Sequence, residues 1–266
     1  MRLPLSARTG SRAPQPTTAW HGVREATRFG PTPPQHPYAG EIGELLGSVR
    51  IDGDDILTAN VWAPTEASGA PVLLWIHGGA LERGTAALPL YDGTVFANAG
   101  VVFVSINYRL GSEGFSVLDG APRNLGLRDA AAALEWVHRE IAAFGGDPAR
   151  ITAMGESAGG AVVAGLLARD DSRALISRAI IESGPLTAQT PKKAGRVTAQ
   201  LAKRLGVTAD RDSFAALSPD SCWTRARPSP PVRHRSAGLP GSSSRSIPTA
   251  CRGLRTRFSA RSTPRC

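Results

Sequence analysis

Residues 155–159 read Gly155-Glu156-Ser157-Ala158-Gly159, between a short apolar run (Ile151-Thr152-Ala153-Met154) and a run of small apolar residues over 161–168. A serine set between glycines at this spacing fits a sharp strand-to-helix turn. The serine then sits in a strained backbone conformation, and any Cβ on the flanking glycines would collide with the adjoining strand or helix. This pentapeptide constrains the fold more than any other feature. It calls for an α/β sheet in which a strand feeds directly into a helix, and it makes Ser157 the candidate nucleophile.

The surrounding sequence has that organisation. Strand and helix patterns alternate through residues 40–200, as a largely parallel sheet requires. Strands are predicted at 59–62, 72–76, 101–106, 151–154 and 179–181. Between the third and fourth, Ala130, Leu134, Val137, Ile141 and Phe144 follow a 4-3-4-3 spacing that predicts a helix with one face on the sheet. Asp129 is expected near its positive N-terminal end, with Gly145-Gly146 closing it. The 161–168 helix is apolar nearly all round and is expected to be buried on more than one side, its N-terminus directed at the serine turn.

The predicted strand at 72–76 runs into His77-Gly78-Gly79-Ala80, a loop whose small residues leave backbone N–H groups free to point at a ligand. Such a loop forms one half of an oxyanion hole, and the N–H of the residue after the serine forms the other. The candidate donors are therefore Gly79, Ala80 and Ala158. Each well-placed donor stabilises a transition state by about 2.7–4 kcal/mol. His77 is expected to be structural, holding this loop through side-chain hydrogen bonds.

These motifs, with others in order along the chain, resemble the type-B carboxylesterases of the α/β-hydrolase fold, the family that includes cholinesterases and bacterial p-nitrobenzyl esterases. The blocks that carry the resemblance are Trp20-His21-Gly22-Val23-Arg24, Asp54-Asp55-Ile56-Leu57-Thr58, Trp75-Ile76-His77-Gly78-Gly79-Ala80, Asn107-Tyr108-Arg109-Leu110-Gly111, Asn124-Leu125-Gly126-Leu127-Arg128-Asp129, Phe144-Gly145-Gly146-Asp147-Pro148, the serine pentapeptide and Glu182-Ser183-Gly184. The resemblance implies an incomplete α/β-hydrolase fold over residues 12–220, comprising the N-terminal half of the central sheet and its flanking helices. It implies a carboxylic ester hydrolase that acylates Ser157, takes a small-molecule ester (aryl or short alkyl), and uses no cofactor or metal. It also implies a structural ion pair between Arg109 and Asp129, and a buried hydrogen-bonding role for Glu156.

A serine hydroxyl needs a base, and the base needs a third group to orient it. By resemblance these follow in the order serine, acid, histidine, at separations of about a hundred residues each. The sole histidine after Ser157 is His234, and Asp170, Asp171, Glu182, Asp210, Asp212 and Asp220 match no triad position. No base is therefore assigned, and catalysis by this chain is expected to be impaired. The alternative is a non-catalytic remnant or a binding module on an esterase fold.

Composition changes abruptly at the end of the resemblance. Residues 218–266 hold ten arginines, no lysine and one acid, so this segment carries the whole formal charge of +9, and the remainder holds 21 charges of each sign. The basic excess is thus no sign of a nucleic-acid partner for the folded body. The segment also contains all three cysteines (Cys222, Cys251, Cys266), ten serines and seven prolines. Residues 221–266 have too few apolar side chains to offset the cost of ordering and are expected to be a disordered Arg/Ser/Pro-rich tail. Three origins stay open: a basic arm, a disulfide-bearing segment, or translation in another reading frame. Back-translation of Asp220-Ser221-Cys222-Trp223-Thr224-Arg225 with G+C-rich codons favours the last, because the offset frame reads Gln-Leu-Leu-Asp-Ala. Residues 1–11 are anomalous in the same way. Met1 to Pro16 contains no apolar signal core, no apolar run approaches the ~18–20 residues of a membrane span, and the body lacks cysteine. Together these fit a cytoplasmic protein with no membrane partner.

Overall fold

Residues 102–106 and 72–76 are near-continuous apolar runs, the pattern of strands covered on both faces. In the computed structural model, which describes residues 25–38 and 40–218 and the short pieces 5–6, 12–16, 21–22 and 221, they form the middle of a five-stranded sheet. The strands are β1 (Ala59–Trp62), β2 (Ala70–Ile76), β3 (Val102–Ile106), β4 (Gly146–Glu156) and β5 (Arg178–Glu182), in the spatial order β1-β3-β2-β4-β5. Only the β1–β3 pair is antiparallel; β2 pairs in parallel with β3 (Val72 opposite Val102) and with β4 (Val72 opposite Ile151). This is the largely parallel sheet anticipated from the alternation of patterns.

Helix α1 (Leu125–Glu140) and helix α2 (Ala158–Leu167) cover the sheet. Ala130, Leu134 and Val137 of α1 are fully buried, and a short 3-10 turn (Ile141–Phe144) extends the helix to Gly145, whose φ of 77° lets the chain reverse into β4. The helix starts four residues before Asp129, however, so this carboxylate lies a turn inside the helix rather than at its dipole end. It is committed to Arg109 instead. On α2, Val162, Val163 and Leu166 join the main core and no residue from 158 to 167 is exposed, as its all-round apolarity requires.

A third long helix, α3 (Pro191–Leu205), packs a separate small core of Leu118, Ala202, Leu205 and Phe214. Thr190 caps it by accepting from the Lys193 N–H at 3.3 Å, Pro191 occupies the first turn, and Gly206 ends it with φ 73°. Strand β5 forms one margin of the sheet, and four of its five residues are exposed. The tail assigned above to 221–266 lies, apart from Ser221, outside the described residues, as does most of 1–11.

Candidate active site

The end of β4 and the start of α2 build the serine turn. Gly155 pairs with Ile76 of β2 and Glu156 with Glu182 of β5, and α2 begins at Ala158, so Ser157 alone makes the reversal. It does so with φ 53° and ψ −120°, which is costly for a residue with a Cβ, and its N–H is fixed by the Glu182 carbonyl at 2.8 Å. The flanking glycines are required by contact. A Cβ on Gly155 would lie 2.4 Å from the Gly159 carbonyl carbon, and one on Gly159 would lie 2.0 Å from the Ile76 carbonyl oxygen. Gly159→Ala is therefore expected to destabilise the fold by about 1–3 kcal/mol in urea unfolding. Gly195→Ala in α3, where the new methyl meets only Val117 Cγ1 at 3.8 Å, should stabilise it by roughly 0.5–1 kcal/mol. If both variants shift stability in the same direction, close backbone approach does not explain Gly159.

The loop after β2 lies directly beside the serine. A Cβ on Gly78 would fall 3.3 Å from Ser157 Cβ and 2.8 Å from the Glu156 carbonyl oxygen. Gly79 (φ 111°) is followed by Ala80 and Leu81 at φ 58° and 59°, two consecutive left-handed residues that are not glycine, each costing about 1–2 kcal/mol. Such a turn persists only where its surroundings determine it. Here the Gly79 carbonyl accepts from the N–H groups of Glu82 and Arg83, the Leu81 carbonyl accepts from Gly111 N–H, and Gln35 grips Gly84. Among the described residues, the N–H groups of Gly79, Ala80 and Ala158 donate to no main-chain carbonyl. Thus three donors stay available on the two segments that meet at Ser157.

His77 is fully buried beneath this loop. Its Nδ1 bonds the Gly78 carbonyl at 2.8 Å, its ring stacks on Tyr108 at 4.6 Å, and its main-chain carbonyl accepts the Tyr108 hydroxyl at 2.8 Å. Burial pushes the imidazole down to about 4, so it is neutral at physiological pH and a poor general base. The structural role anticipated for His77 matches this geometry.

Asn107, at the end of β3, ties the loop to the rest of the fold. Its Oδ1 accepts from the Thr85 hydroxyl and the Ala86 N–H, while its Nδ2 donates to Thr58 Oγ1 and the Pro31 carbonyl. Two residues on, Arg109 and Asp129 form a buried bidentate pair, Nη2 to Oδ1 at 2.6 Å and Nε to Oδ2 at 2.7 Å. Burial pushes the Asp129 carboxyl up, and the Arg109 guanidinium pulls it back. The ion pair expected from the resemblance is present.

Four of the acids after Ser157 are engaged elsewhere, and Asp220 lies outside the described residues. Asp170 pairs with Arg173 and Asp171 with Arg169 on the surface, Asp212 pairs with Arg211, and Asp210 caps the helix Arg211–Ala215 through the Ser213 N–H. Glu156 departs from expectation: it is exposed, not buried. Its carboxylate lies over the donor loop, with Oε2 2.7 Å from where a Cβ on Gly78 would stand. His234 lies outside the described residues.

A mostly parallel sheet with helices against it, a serine on a strained turn between strand and helix, and a donor loop after the adjacent strand together define the α/β-hydrolase fold. The carboxylesterase family model matches residues 11–222, and the chain belongs to that family. It is 41% identical over 202 residues to the para-nitrobenzyl esterase of Bacillus subtilis, covering 74% of this chain and 41% of that protein. It is 42% identical over 220 residues to the phenmedipham hydrolase of Pseudarthrobacter oxydans, covering 80% and 43%. It is 39% identical over 214 residues to a cholinesterase of Mus musculus, covering 76% and 36%. A solved thermophilic PNB esterase superposes with a TM-score of 0.74 at 37% identity, over 84% of this chain and 47% of that one. The chain thus spans less than half the length of each of these curated relatives. Among the described residues no helix is long and apolar enough to cross a membrane.

Proposed function

We propose that the protein is a carboxylic ester hydrolase in which Ser157 is the nucleophile and the N–H groups of Gly79, Ala80 and Ala158 form the oxyanion hole. The strained φ and ψ of Ser157, beside two loop N–H groups and the Ala158 N–H that among the described residues donate to no main-chain carbonyl, is the observation that carries this reading. Ser157 Oγ attacks the ester carbonyl, forming a new C–O bond. As the tetrahedral intermediate collapses, the ester C–O bond breaks and the alcohol leaves with the proton that the serine hydroxyl gave up. Water then attacks the acyl-enzyme, releasing the acid and restoring the hydroxyl. The three donors face charge that develops on the carbonyl oxygen, so they act on the transition state more than on the bound ester. The methyl of Ala80 narrows the space beside that carbonyl, and the substrate is a small ester of the aryl or short alkyl type.

A second reading has its own observation. His77, the imidazole buried beneath the loop, is locked on Gly78 and too weakly basic, and every acid between residues 170 and 212 is engaged in surface pairs or caps or sits on the exposed strand β5. A chain with donors but no base would keep only the roughly 10³–10⁴-fold acceleration that such sites retain over water. Incubation with an alkyl fluorophosphonate separates the two. Covalent phosphonylation that disappears in Ser157→Ala is the expected result and marks an activated serine. Folded protein that stays unlabelled would assign the chain to the non-catalytic class.

A further inference from the structure

The strained turn that carries Gly79 and Ala80 is gripped from outside by one side chain. Gln35, in the proline-rich segment before β1, donates from Nε2 to the Gly84 carbonyl at 2.8 Å and accepts the Gly84 N–H on Oε1 at 2.7 Å. One planar amide thus occupies both main-chain groups of a single residue. The grip transmits position because Gly84 has no slack. With φ 107°, its missing Cβ would fall 2.5 Å from both the Gly78 carbonyl oxygen and His77 Nδ1, so Gly84 rests directly on the start of the donor loop.

Gln35 is itself well anchored. Thr32 exchanges hydrogen bonds with Ile51, main chain to main chain at 3.0 Å and Ile51 N–H to Thr32 Oγ1 at 3.1 Å, and the Pro31 carbonyl is held by Asn107. Asn107 also holds Thr85 and Ala86. Gln35 and Asn107 therefore bracket residues 84–86, and of these two Gln35 acts on the side nearer Gly79. We propose that Gln35 is a positioning residue, fixing Gly84 so that the Gly79 and Ala80 N–H groups hold their aim at the acyl carbonyl oxygen. This rests on the serine-esterase reading above.

The test follows the phosphonylation rate of Ser157 over a range of alkyl fluorophosphonate concentrations, with amide hydrogen exchange of peptides spanning 78–85 measured on the same proteins. A misplacement of about 1 Å can cost about a hundredfold in rate. Gln35→Ala is expected to lower the maximal labelling rate by roughly ten- to a hundredfold, leave the half-saturating probe concentration within about twofold, and speed exchange in 78–85 but not in α1. Gln35→Glu keeps the acceptor for Gly84 N–H and loses the donor, so it should show a smaller change in the same direction, and it decides the matter if the alanine variant does not fold. Unaltered exchange in 78–85 overturns the proposal whether or not Ser157 labels. An unaltered maximal rate, or a loss confined to half-saturation, also overturns it. Wild-type protein that does not label, combined with faster exchange in the variant, sinks the esterase reading and leaves Gln35's hold on the turn standing.

Discussion

Replacing Arg109 by leucine is expected to remove about 3–5 kcal/mol of unfolding free energy, because it strands a carboxylate in the core. Arg109 and Asp129 are 1% and 0% exposed. The arginine meets that carboxylate with its main-chain N–H, Nε and Nη2, and turns Nη1 to the Arg12 carbonyl at 2.7 Å. Without the guanidinium, Asp129 must either stay charged in a medium that solvates it poorly or take up a proton. Arg109→Lys should recover little, since a single ammonium cannot reproduce the two-pronged fork. Replacing both residues by leucine should recover a large part, because the cost arises from the unpaired charge. Urea unfolding of the three variants at neutral pH checks this order. Leucine at the exposed Arg173 of the Asp170 pair should have no measurable effect, and an Arg109 variant equally mild would show that the buried pair does not hold the segment after β3 to α1.

The consequence reaches the site, because that segment braces the donor loop. Asn107, Tyr108 and Gly111 each bond it, at the Thr85 hydroxyl and Ala86 N–H, at the His77 carbonyl and at the Leu81 carbonyl respectively. An Arg109 variant that still folds should therefore also loosen the turn around Ala80.

What the sequence made legible was what depends on periodicity and on glycine. Each strand of the sheet overlaps its predicted run, although β4 starts five residues earlier, at Gly146; β2 and β3 are the plainest, because a buried parallel strand has few other ways to be written. The serine turn was legible because contacts as short as that between Gly159 and Ile76 exclude every side chain. Helix α3 was less visible: its buried residues Thr198, Ala202 and Leu205 are few and one is polar. Thr190-Pro191 at one end and Gly206 at the other were the available signals. Gln35 gave none, since a glutamine among prolines looks like any connecting residue until the chain brings Gly84 to it from 49 positions away. Glu156 is exposed against expectation, and nothing in the pentapeptide encodes this, because its carboxylate faces Gly78 of a loop distant in sequence.

Acidification should destabilise this protein through His77 by about 3 kcal/mol. The unfolded chain binds a proton on this imidazole near the ordinary value of 6.5, while the folded chain resists it down to about 4 because the ring is fully buried. Between those values the unfolded state holds more protons, so stability is complete above about 6.5 and falls as the pH drops toward 4, at up to about 1.4 kcal/mol per pH unit. The buried Nε2 has no partner among the described residues, so a proton there would find no acceptor. His77→Gln keeps a donor for the Gly78 carbonyl and does not titrate. It should flatten this dependence while leaving the contribution of the carboxylates, which both proteins share. The measurement is urea unfolding of both proteins at pH 7 and pH 4.5, read as the difference between their losses. If the two lose stability in parallel, His77 takes up its proton as easily in the folded state as in the unfolded one. The loop beside Ser157 would then not be sealed from water on the side of the imidazole.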